Sequence, residues 1–524
     1  MLLKELSELQ ARAGWLSEAG LREIAERRRV PLHRLESLST FYTHFRRSEP
    51  PRRELGVCRD VACGIAGRGE ALDRLRPLLD ELGVELREVS CLGRCDGAPA
   101  GCVGECAVDL RNEAELRAAL DDPASRERPI RSWSADPYAS RGERYGALRR
   151  WLDDDPARLL DELEAAGLRG LGGAGFPTAR KWRLVASRNA SPKYVICNAD
   201  ESEPGSFKDR EVLHDLPHLV IEGMALAGLA VGASSGILFI RHEYAAERQR
   251  FDAELAAARE AGALGERIFD SDFCFDVEIF VSPGGYILGE ETALLECLED
   301  RRGEPRNKPP FPGVSGLYGQ PTLINNVETL AHAAAIAERG SDWWHALAPD
   351  GFAGHKFMAV SGDVAEPGVV LVPMGTTLGQ LLDACGGMKD GAAVAAVAPG
   401  GASSSFLPGA ALDVALDFDA LSEAGSMLGS GAAIFVAEGR NLLEVGLDVA
   451  RFFRNESCGK CVPCRVGTEK AVALLESQPL TPALLGQLRA LHATLARTSI
   501  CGLGQIALAP LLSIVDLSEG AARG

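Results

Sequence analysis

Apolar positions in the first 50 residues recur at helical spacing. Leu16, Leu21, Ile24 and Ala25 share one face, and Pro31 opens a further helix over Leu32 to Leu38, so residues 1–50 are expected to form a small helical cap. From Glu54 the pattern turns to strand (ELGVC), then helix (EALDRLRPLLDEL), then strand (VELREVS), a compact α/β unit over 51–120. Residues 121–145 are rich in Pro, Ser, Asp and Arg and read as a linker. Helical stretches (LLDELEAAGL, HLVIEGMALAGLAVGA) then alternate with short apolar strands (KYVICNA, SGILFIR, DVEIFVS), which predicts an α/β domain over 146–340. Strand-like KFMAVSGDV and GVVLVPMG lead into helical TLGQLLDAC, a small β-rich domain with one helix over 355–437. Helical periodicity returns over 438–524 (NLLEVGLDVARFF, PALLGQLRALHATLA). The predicted class is multidomain α/β.

A chain of 524 residues that is 46% hydrophobic has material for several cores, in keeping with that division. The formal charge of -18 argues against nucleic acid, whose phosphates need a concentrated basic surface. No apolar run reaches the ~20 residues of a membrane span, and MLLKELSELQARAG lacks a signal peptide's apolar stretch, so no direct membrane insertion and a cytoplasmic location are expected. The 14 cysteines fall largely in short-spaced sets, which suggests metal ligation more than disulfides.

Cys458, Cys461 and Cys464 stand in C-x2-C-x2-C spacing, with Cys501 farther on. Three thiolates on one tight loop and a fourth from a distant segment suit the corners of a 4Fe-4S cube; structural zinc, which more often takes two separated C-x2-C pairs, is the alternative. Near the N-terminus, Cys58 and Cys63 form one pair and Cys91 and Cys95 another, the arrangement a 2Fe-2S rhombus requires, with zinc again the alternative. Cys102 and Cys106 read as buried apolar thiols outside the set.

Gly170, Gly172, Gly173 and Gly175 formally complete a G-x-G-x-x-G. As a dinucleotide fingerprint it fails, because helix precedes it where a strand is needed and Pro177 interrupts the segment beyond it. There remains a backbone that can approach a phosphate or an aromatic ring closely, with Lys181 just beyond as a positive charge. The strand YVIC runs into Asn198, Asp200, Glu201 and Glu203, carboxylates close enough to repel unless solvated, protonated or engaged by ribityl or ribose hydroxyls and a carboxamide. Tyr286, Gly289, Glu290 and Glu291, then Lys308 and Phe311, then Asn325, Asn326 and Thr329, lie in segments that turn or capping roles would explain singly.

Taken in order, GLRGLGGAGFPTARKW, CNADESEPGSFKDR, GGYILGEETALLE, KPPFPG, INNVETL, ESCGKCVPC and SICGLG resemble the NADH-binding flavoprotein subunit of respiratory complex I and its relatives. Residues 1–120 resemble a second subunit of that module, a thioredoxin-like 2Fe-2S ferredoxin, through STFYTHF, VCRDVACGIAG and SCLGRCDGAP. The two are fused here. The resemblance implies FMN and NAD in one cavity, a 2Fe-2S cluster on Cys58, Cys63, Cys91 and Cys95, a β-grasp (SLBB-like) domain over 355–437 that braces the cluster domain, and a 4Fe-4S cluster on Cys458, Cys461, Cys464 and Cys501 in the C-terminal helical domain. It assigns FMN to Gly170, Gly172, Gly173, Lys181, Asn198, Asp200, Glu201, Tyr286, Gly289, Glu290, Asn325, Asn326 and Thr329, and NAD to Phe176, Lys181, Glu203, Glu291, Lys308 and Phe311. Glu203 is the expected catalytic-site residue, as a tuner of nicotinamide binding and not as a base, because hydride transfer needs none. Glu291, accepting from the adenosine ribose, would repel a 2′-phosphate. Leu171 stands where the family often has Arg, and Leu184 where some relatives place an aromatic against adenine.

The resemblance further implies a partner: a large catalytic subunit with its own iron-sulfur chain. Fused units of this kind are typical of the β subunit of NAD-dependent molybdenum or tungsten formate dehydrogenases and of the diaphorase subunit of NAD-reducing hydrogenases, and less typical of complex I. The compact chain, without a further C-terminal ferredoxin, leans to formate dehydrogenase. A nonenzymatic iron-sulfur scaffold that has lost its flavin is the alternative of another class.

Overall fold

The computed structural model describes residues 1–123 and 128–521, so residues 124–127 of the predicted linker and the last three residues of the predicted C-terminal domain lie outside the described residues. Three sheets organise the chain. The first is built from β1 (Glu54–Cys58), β2 (Glu85–Val89), β3 (Ala100–Val103) and β4 (Cys106–Asp109), in the order β2-β1-β3-β4. Its cysteines lie where strands end: Cys58 closes β1, and Cys91 follows β2.

The second sheet holds β5 (Tyr194–Ala199), β6 (Ser235–Arg241), β7 (Asp276–Ser282) and β8 (Thr322–Asn326), all parallel, in the order β7-β6-β5-β8. Parallel strands covered on both faces read as continuous apolar runs, which is why VIC and ILFI were legible. Helices Pro217–Val231 and Val327–Arg339 pack against each other and against β5. The chain leaves β5 toward β6 on one side and reaches β8 on the other, which opens a crevice beyond the carboxyl ends of β5 and β8. Asn198 and Asn326 are paired across that end, and Cys197 is paired with Asn325.

The third sheet comprises β9 (His355–Gly362), β10 (Gly368–Pro373), β11 (Val394–Ala398), β12 (Leu407–Pro408) and β13 (Ala432–Ala437), ordered β10-β9-β13-β11-β12, with only the β9–β13 pair parallel. This domain carries Leu378–Asp383 and a second six-residue helix, Phe418–Glu423, too short for periodicity to reveal. The C-terminal part is helical: Leu442–Asn455, Val462–Ser477, Pro482–Thr498, Gly502–Ile506 and Ala509–Ala521. The β12 region touches it, with Phe406 N–H donating to Ser513 Oγ at 2.8 Å.

Two segments sit differently from a simple string of domains. The N-terminal cap packs on the parallel-sheet domain, where the Asp300 carboxylate accepts the first amides of helix Leu2–Ala13 (Leu2 N 2.7 Å, Leu3 N 2.9 Å). The described end of the predicted linker is a strap. Trp133 is buried and donates from Nε1 to Asp215 at 2.8 Å, Tyr138 donates to Glu222 at 2.8 Å, and Tyr145 is buried against Glu254. Its aromatic rings bring enough apolar area to bury a segment whose composition is otherwise polar. Among the described residues no single helix is long and apolar enough to cross a membrane.

Candidate functional site

The glycine loop follows helix Pro156–Ala165, with no strand before it, and Pro177 does not interrupt the chain: helix Thr178–Ala186 begins directly after it. Proline's fixed φ suits that place. The loop lies over the end of β8. A Cβ on Gly172 would stand 2.9 Å from the Asn326 Cβ, so only glycine lets the loop come this close. Leu171 is buried; its N–H donates to Thr329 Oγ1 at 2.9 Å, and its carbonyl accepts from Lys356 at 3.5 Å. The position that often holds Arg in the family therefore faces the core here.

The polar residues at the strand ends knit the crevice rim together. Asn198 donates to the Gly289 carbonyl at 2.9 Å, Trp182 Nε1 donates to Asn325 Oδ1 at 2.9 Å, and Asn326 Oδ1 caps helix Val327–Arg339 through Glu328 N–H at 3.0 Å. Asp200 accepts from Ser202 and from Ser282 at 2.7 Å; burial still pushes its carboxyl up to about 6. Glu201 is turned inward. It accepts from the amides of Asp209 and Arg210, from Ser206 at 2.8 Å and from Tyr244 at 3.0 Å, and burial with the nearby Asp209 charge pushes it to about 7.

Beside this rim, next to Gly289, Lys181, Glu291, Lys308 and Glu290 form a charge chain: Lys181 to Glu291 3.4 Å, Glu291 to Lys308 3.1 Å, Lys308 to Glu290 2.7 Å. Glu290 also caps helix Glu291–Leu298 through Thr292 and Ala293 amides. Burial opposes ionisation of Glu291, but Lys181 and Lys308 outweigh it and hold its carboxyl below the usual range. Phe176 and Phe311 are large aromatic rings left 46% and 53% exposed, available to stack on a flat ligand. Leu184 packs near Gly313, two residues past Phe311. Glu203 accepts from both the amide (2.8 Å) and the hydroxyl of Ser403, yet burial pushes it up to about 7. Ser403 also bonds the hydroxyl of Tyr286, whose N–H donates to Glu456 at 2.8 Å.

Glu456 connects this crevice to both cysteine sets. It lies two residues before Cys458 and accepts from Ser90, the residue before Cys91, at 2.7 Å. Cys58 touches Cys63 and Cys91, and the Cys91 and Cys95 sulfurs are 3.7 Å apart. Hydrogen bonds from Cys58 and Cys95, with the Arg241 guanidinium, hold Cys91 down while its neighbours are raised. Amides of Ala100, Gly93 and Gly205 point at the sulfurs of Cys63, Cys91 and Cys95, the donors that a bound cluster's thiolates keep. Gly205 belongs to the loop after β5, so the crevice and the first cysteine set share a wall. Cys102 and Cys106 lie on diagonal positions of β3 and β4 that face opposite ways, Cys102 being paired with Ala107 and Cys106 with Val103.

In the second set, Cys461 bonds Cys464, and Cys501 accepts from the Leu503 and Gly504 amides. Burial lifts Cys464 to about 11 and Cys501 to about 12, protons that a metal would displace. Among the described residues no three His, Cys, Asp or Glu side chains are grouped as the ligands of a single metal ion. Trp182, Lys208 and Glu328 lie within the quoted segments but were assigned no ligand, while Ser403 and Lys356 join the crevice from outside every motif. Those last two are supplied by packing of the third-sheet domain against the parallel-sheet domain, and Lys208, Glu328 and Lys356 are fully buried.

Comparisons with known proteins agree with this architecture. Residues 163–335 match a model described as the Nuo51 FMN-binding domain, 1–123 the thioredoxin-like [2Fe-2S] ferredoxin, 444–518 the NADH-ubiquinone oxidoreductase-F iron-sulfur binding region, and 357–407 the SLBB domain. The second NADH-quinone oxidoreductase F subunit of Rhizobium meliloti is 44% identical over 368 residues, 69% of this chain and 87% of the relative. The NADP-reducing hydrogenase subunit HndC of Solidesulfovibrio fructosivorans is 42% identical over 388 residues, 73% and 79% of the two chains. A chain of the NAD+-reducing [NiFe]-hydrogenase in the H2-reduced state superposes with a TM-score of 0.86 at 30% identity, covering 98% of this chain and 91% of that one. The cofactors are FMN, NAD, a 2Fe-2S cluster and a 4Fe-4S cluster. The chain belongs to the family of NADH-quinone oxidoreductase F subunits, as an NADH oxidoreductase subunit with a thioredoxin-like ferredoxin fused before its flavin domain.

Proposed function

We propose that the chain is the NAD-linked diaphorase subunit of a multisubunit cytoplasmic oxidoreductase, exchanging electrons between NAD(H) and a partner chain. The observation that carries this is the continuity from crevice to cysteines: Glu203, Ser403 and Tyr286 adjoin the flavin rim, and Glu456 ties Tyr286 to the loops of both cysteine sets. When bound, FMN supplies a chemistry side chains lack, exchanging a hydride with nicotinamide and single electrons with a cluster. The protein's part is to hold and orient. Phe176 and Phe311 would stack on the nucleotide, Lys181 and Lys308 would meet its charge, and Asn198, Asp200, Asn325, Asn326 and Thr329 would grip the flavin. Cys458, Cys461, Cys464 and Cys501 would form the port to the partner, on a face where Val462 and Val466 are 60% and 51% exposed.

For the partner, the notion of a molybdenum or tungsten formate dehydrogenase catalytic subunit is supported by the fusion of ferredoxin and flavin domains in one chain. A nickel hydrogenase is the second reading, favoured because the hydrogenase chain shares the fused architecture over 98% of this chain, whereas the Rhizobium meliloti relative aligns with 69%. Anaerobic purification with its native partner, followed by NAD reduction driven by formate or by H2, separates the two. An isolated chain with no flavin absorbance and no NADH–ferricyanide turnover would overturn the diaphorase reading altogether.

A further inference from the structure

Two fully buried arginines of the parallel-sheet domain reach into the loop that carries Cys91 and Cys95. Arg210 donates to the Gly93 carbonyl at 2.6 Å and to the Asp96 carboxylate at 2.6 Å. Arg241 is the last residue of β6, at the end of the sheet where the crevice opens, and its guanidinium forks. Nη2 donates to the Cys91 carbonyl and Nη1 to the Glu201 carbonyl, so one side chain joins the first cysteine set to the crevice rim. A planar fork of donors can serve two carbonyls at once, which the point charge of a lysine cannot. Tyr244 backs the fork: its ring centre lies 5.0 Å from the guanidinium, and its hydroxyl donates to Glu201 Oε2 at 3.0 Å. Each cation here has its own counter-ion. Arg94 pairs with Glu247 at 3.3 Å, Arg210 with Asp96 at 2.6 Å and Glu211 at 2.9 Å, and Arg241 with Glu243 at 2.8 Å. The last pair is neutral as a whole, but its cation is the member in contact with a cysteine of the set, while the Glu243 carboxylate meets Arg241 and His242.

We propose that Arg241 is the residue through which the flavin domain sets the reduction potential of the 2Fe-2S cluster, its buried charge favouring the reduced state. This rests on the placement of that cluster on Cys58, Cys63, Cys91 and Cys95. Two ferric ions held by two sulfides and four thiolates carry two net negative charges, and one electron, supplied by NADH through the flavin, raises this to three with no bond made or broken. A fixed cation stabilises the more negative state by more, and burial keeps water from screening it. The guanidinium already acts in this sense on the apo-site, where it helps to hold the Cys91 thiol down. The same side chain fixes the distance between cluster loop and crevice, because its two carbonyl partners lie one on each side.

Redox titration of the full-length, anaerobically purified chain, followed by electron paramagnetic resonance of each reduced cluster, reads the 2Fe-2S potential with the 4Fe-4S signal as internal reference. A unit charge lost within about 10 Å of the added electron, in an effective dielectric of about 20, predicts that Arg241→Gln lowers the reduced-to-oxidised ratio roughly tenfold at any fixed potential. For one electron that is a midpoint lower by about 59 mV. Arg241→Lys, which keeps the charge, should recover most of the difference. Glu243→Gln removes the counter-charge instead and should move the midpoint upward. Opposite signs separate charge from a loosened cysteine loop, which would move both variants the same way. Iron content and circular dichroism show that each variant is intact, and Glu243→Gln, at a partly exposed position, decides the matter if Arg241→Gln does not fold. The proposal is overturned if Arg241→Gln keeps the wild-type 2Fe-2S midpoint, if Glu243→Gln leaves it unchanged or lowers it, or if the 4Fe-4S midpoint moves equally. A wild-type chain with no 2Fe-2S signal would overturn the placement of the cluster as well.

Discussion

Substituting Glu328→Gln removes one of two carboxylates that balance two lysines deep beneath the glycine loop. Lys208, Asp209, Glu328 and Lys356 are all essentially buried, and their charges sum to zero. Glu328 binds Lys208 at 2.9 Å, Lys356 at 3.0 Å and the Phe357 amide at 2.8 Å, with His332 at 3.5 Å. Glutamine leaves a net positive charge, and breaking one side of a buried pair costs about 3–5 kcal/mol. The chain has one relief. Burial, only partly countered by Glu328, has already lowered Lys356 to about 8, while burial keeps His332 from charging. In the variant Lys356 sheds its proton by neutral pH, which in the wild type at pH 7 would cost about 1.4 kcal/mol for the one unit separating 7 from 8. The sign follows from linkage: the folded pKa lies below the unfolded value, so the unfolded chain binds more protons above about 8, and wild-type stability gains there as pH rises. At pH 9 Lys356 is largely neutral in both proteins. The deficit of Glu328→Gln should therefore shrink by about 1.4 kcal/mol between pH 7 and pH 9. Urea unfolding followed by the appearance of free-flavin fluorescence measures it at both pH values. A deficit below about 1 kcal/mol at pH 7, outside the range for a broken buried pair, or one that grows toward pH 9, would refute this account of the ion cluster.

Three further outcomes are expected. Glu291→Gln removes an ionised carboxylate from a charge chain with Lys181 and Lys308, leaving that patch net positive; kcat/KM for NADPH should rise about tenfold relative to NADH. Glu203, raised to about 7, ionises across neutral pH, so NADH affinity should fall as pH rises from 6 to 8, and Glu203→Gln should keep the low-pH affinity at pH 8, read as the KM for NADH at each pH. Cys58→Ala should abolish the 2Fe-2S absorbance and leave NADH-dependent bleaching of the flavin intact, because Cys58 closes β1 and its thiol meets Cys63 and Cys91, not the residues assigned to FMN or NAD.

The strands of the parallel sheet were legible because both their faces are buried, which writes them as apolar runs such as VIC and ILFI. The cysteine groups stood out by their close spacing, and the resemblance named the ligand sets among them. Other parts had no such signature. Trp133, Tyr138 and Tyr145 anchor the strap without any period, inside a composition that looks like linker. Lys208 and Lys356 carry the residue type most often found on surfaces, yet both are buried, and only tertiary packing brings them under one loop. Ser403 lies 200 residues from its partner Glu203, so no local pattern could join them.

Conversion between the two electrons of NADH and the single electrons of the C-terminal cluster is the central task assigned to this chain. Freeze-quench electron paramagnetic resonance of the anaerobically purified chain mixed with NADH tests it most directly. The 4Fe-4S signal should rise as flavin absorbance bleaches, and Cys501→Ala should remove the signal while bleaching persists. Flavin reduced by NADH with the wild-type 4Fe-4S cluster remaining oxidised would contradict that assignment.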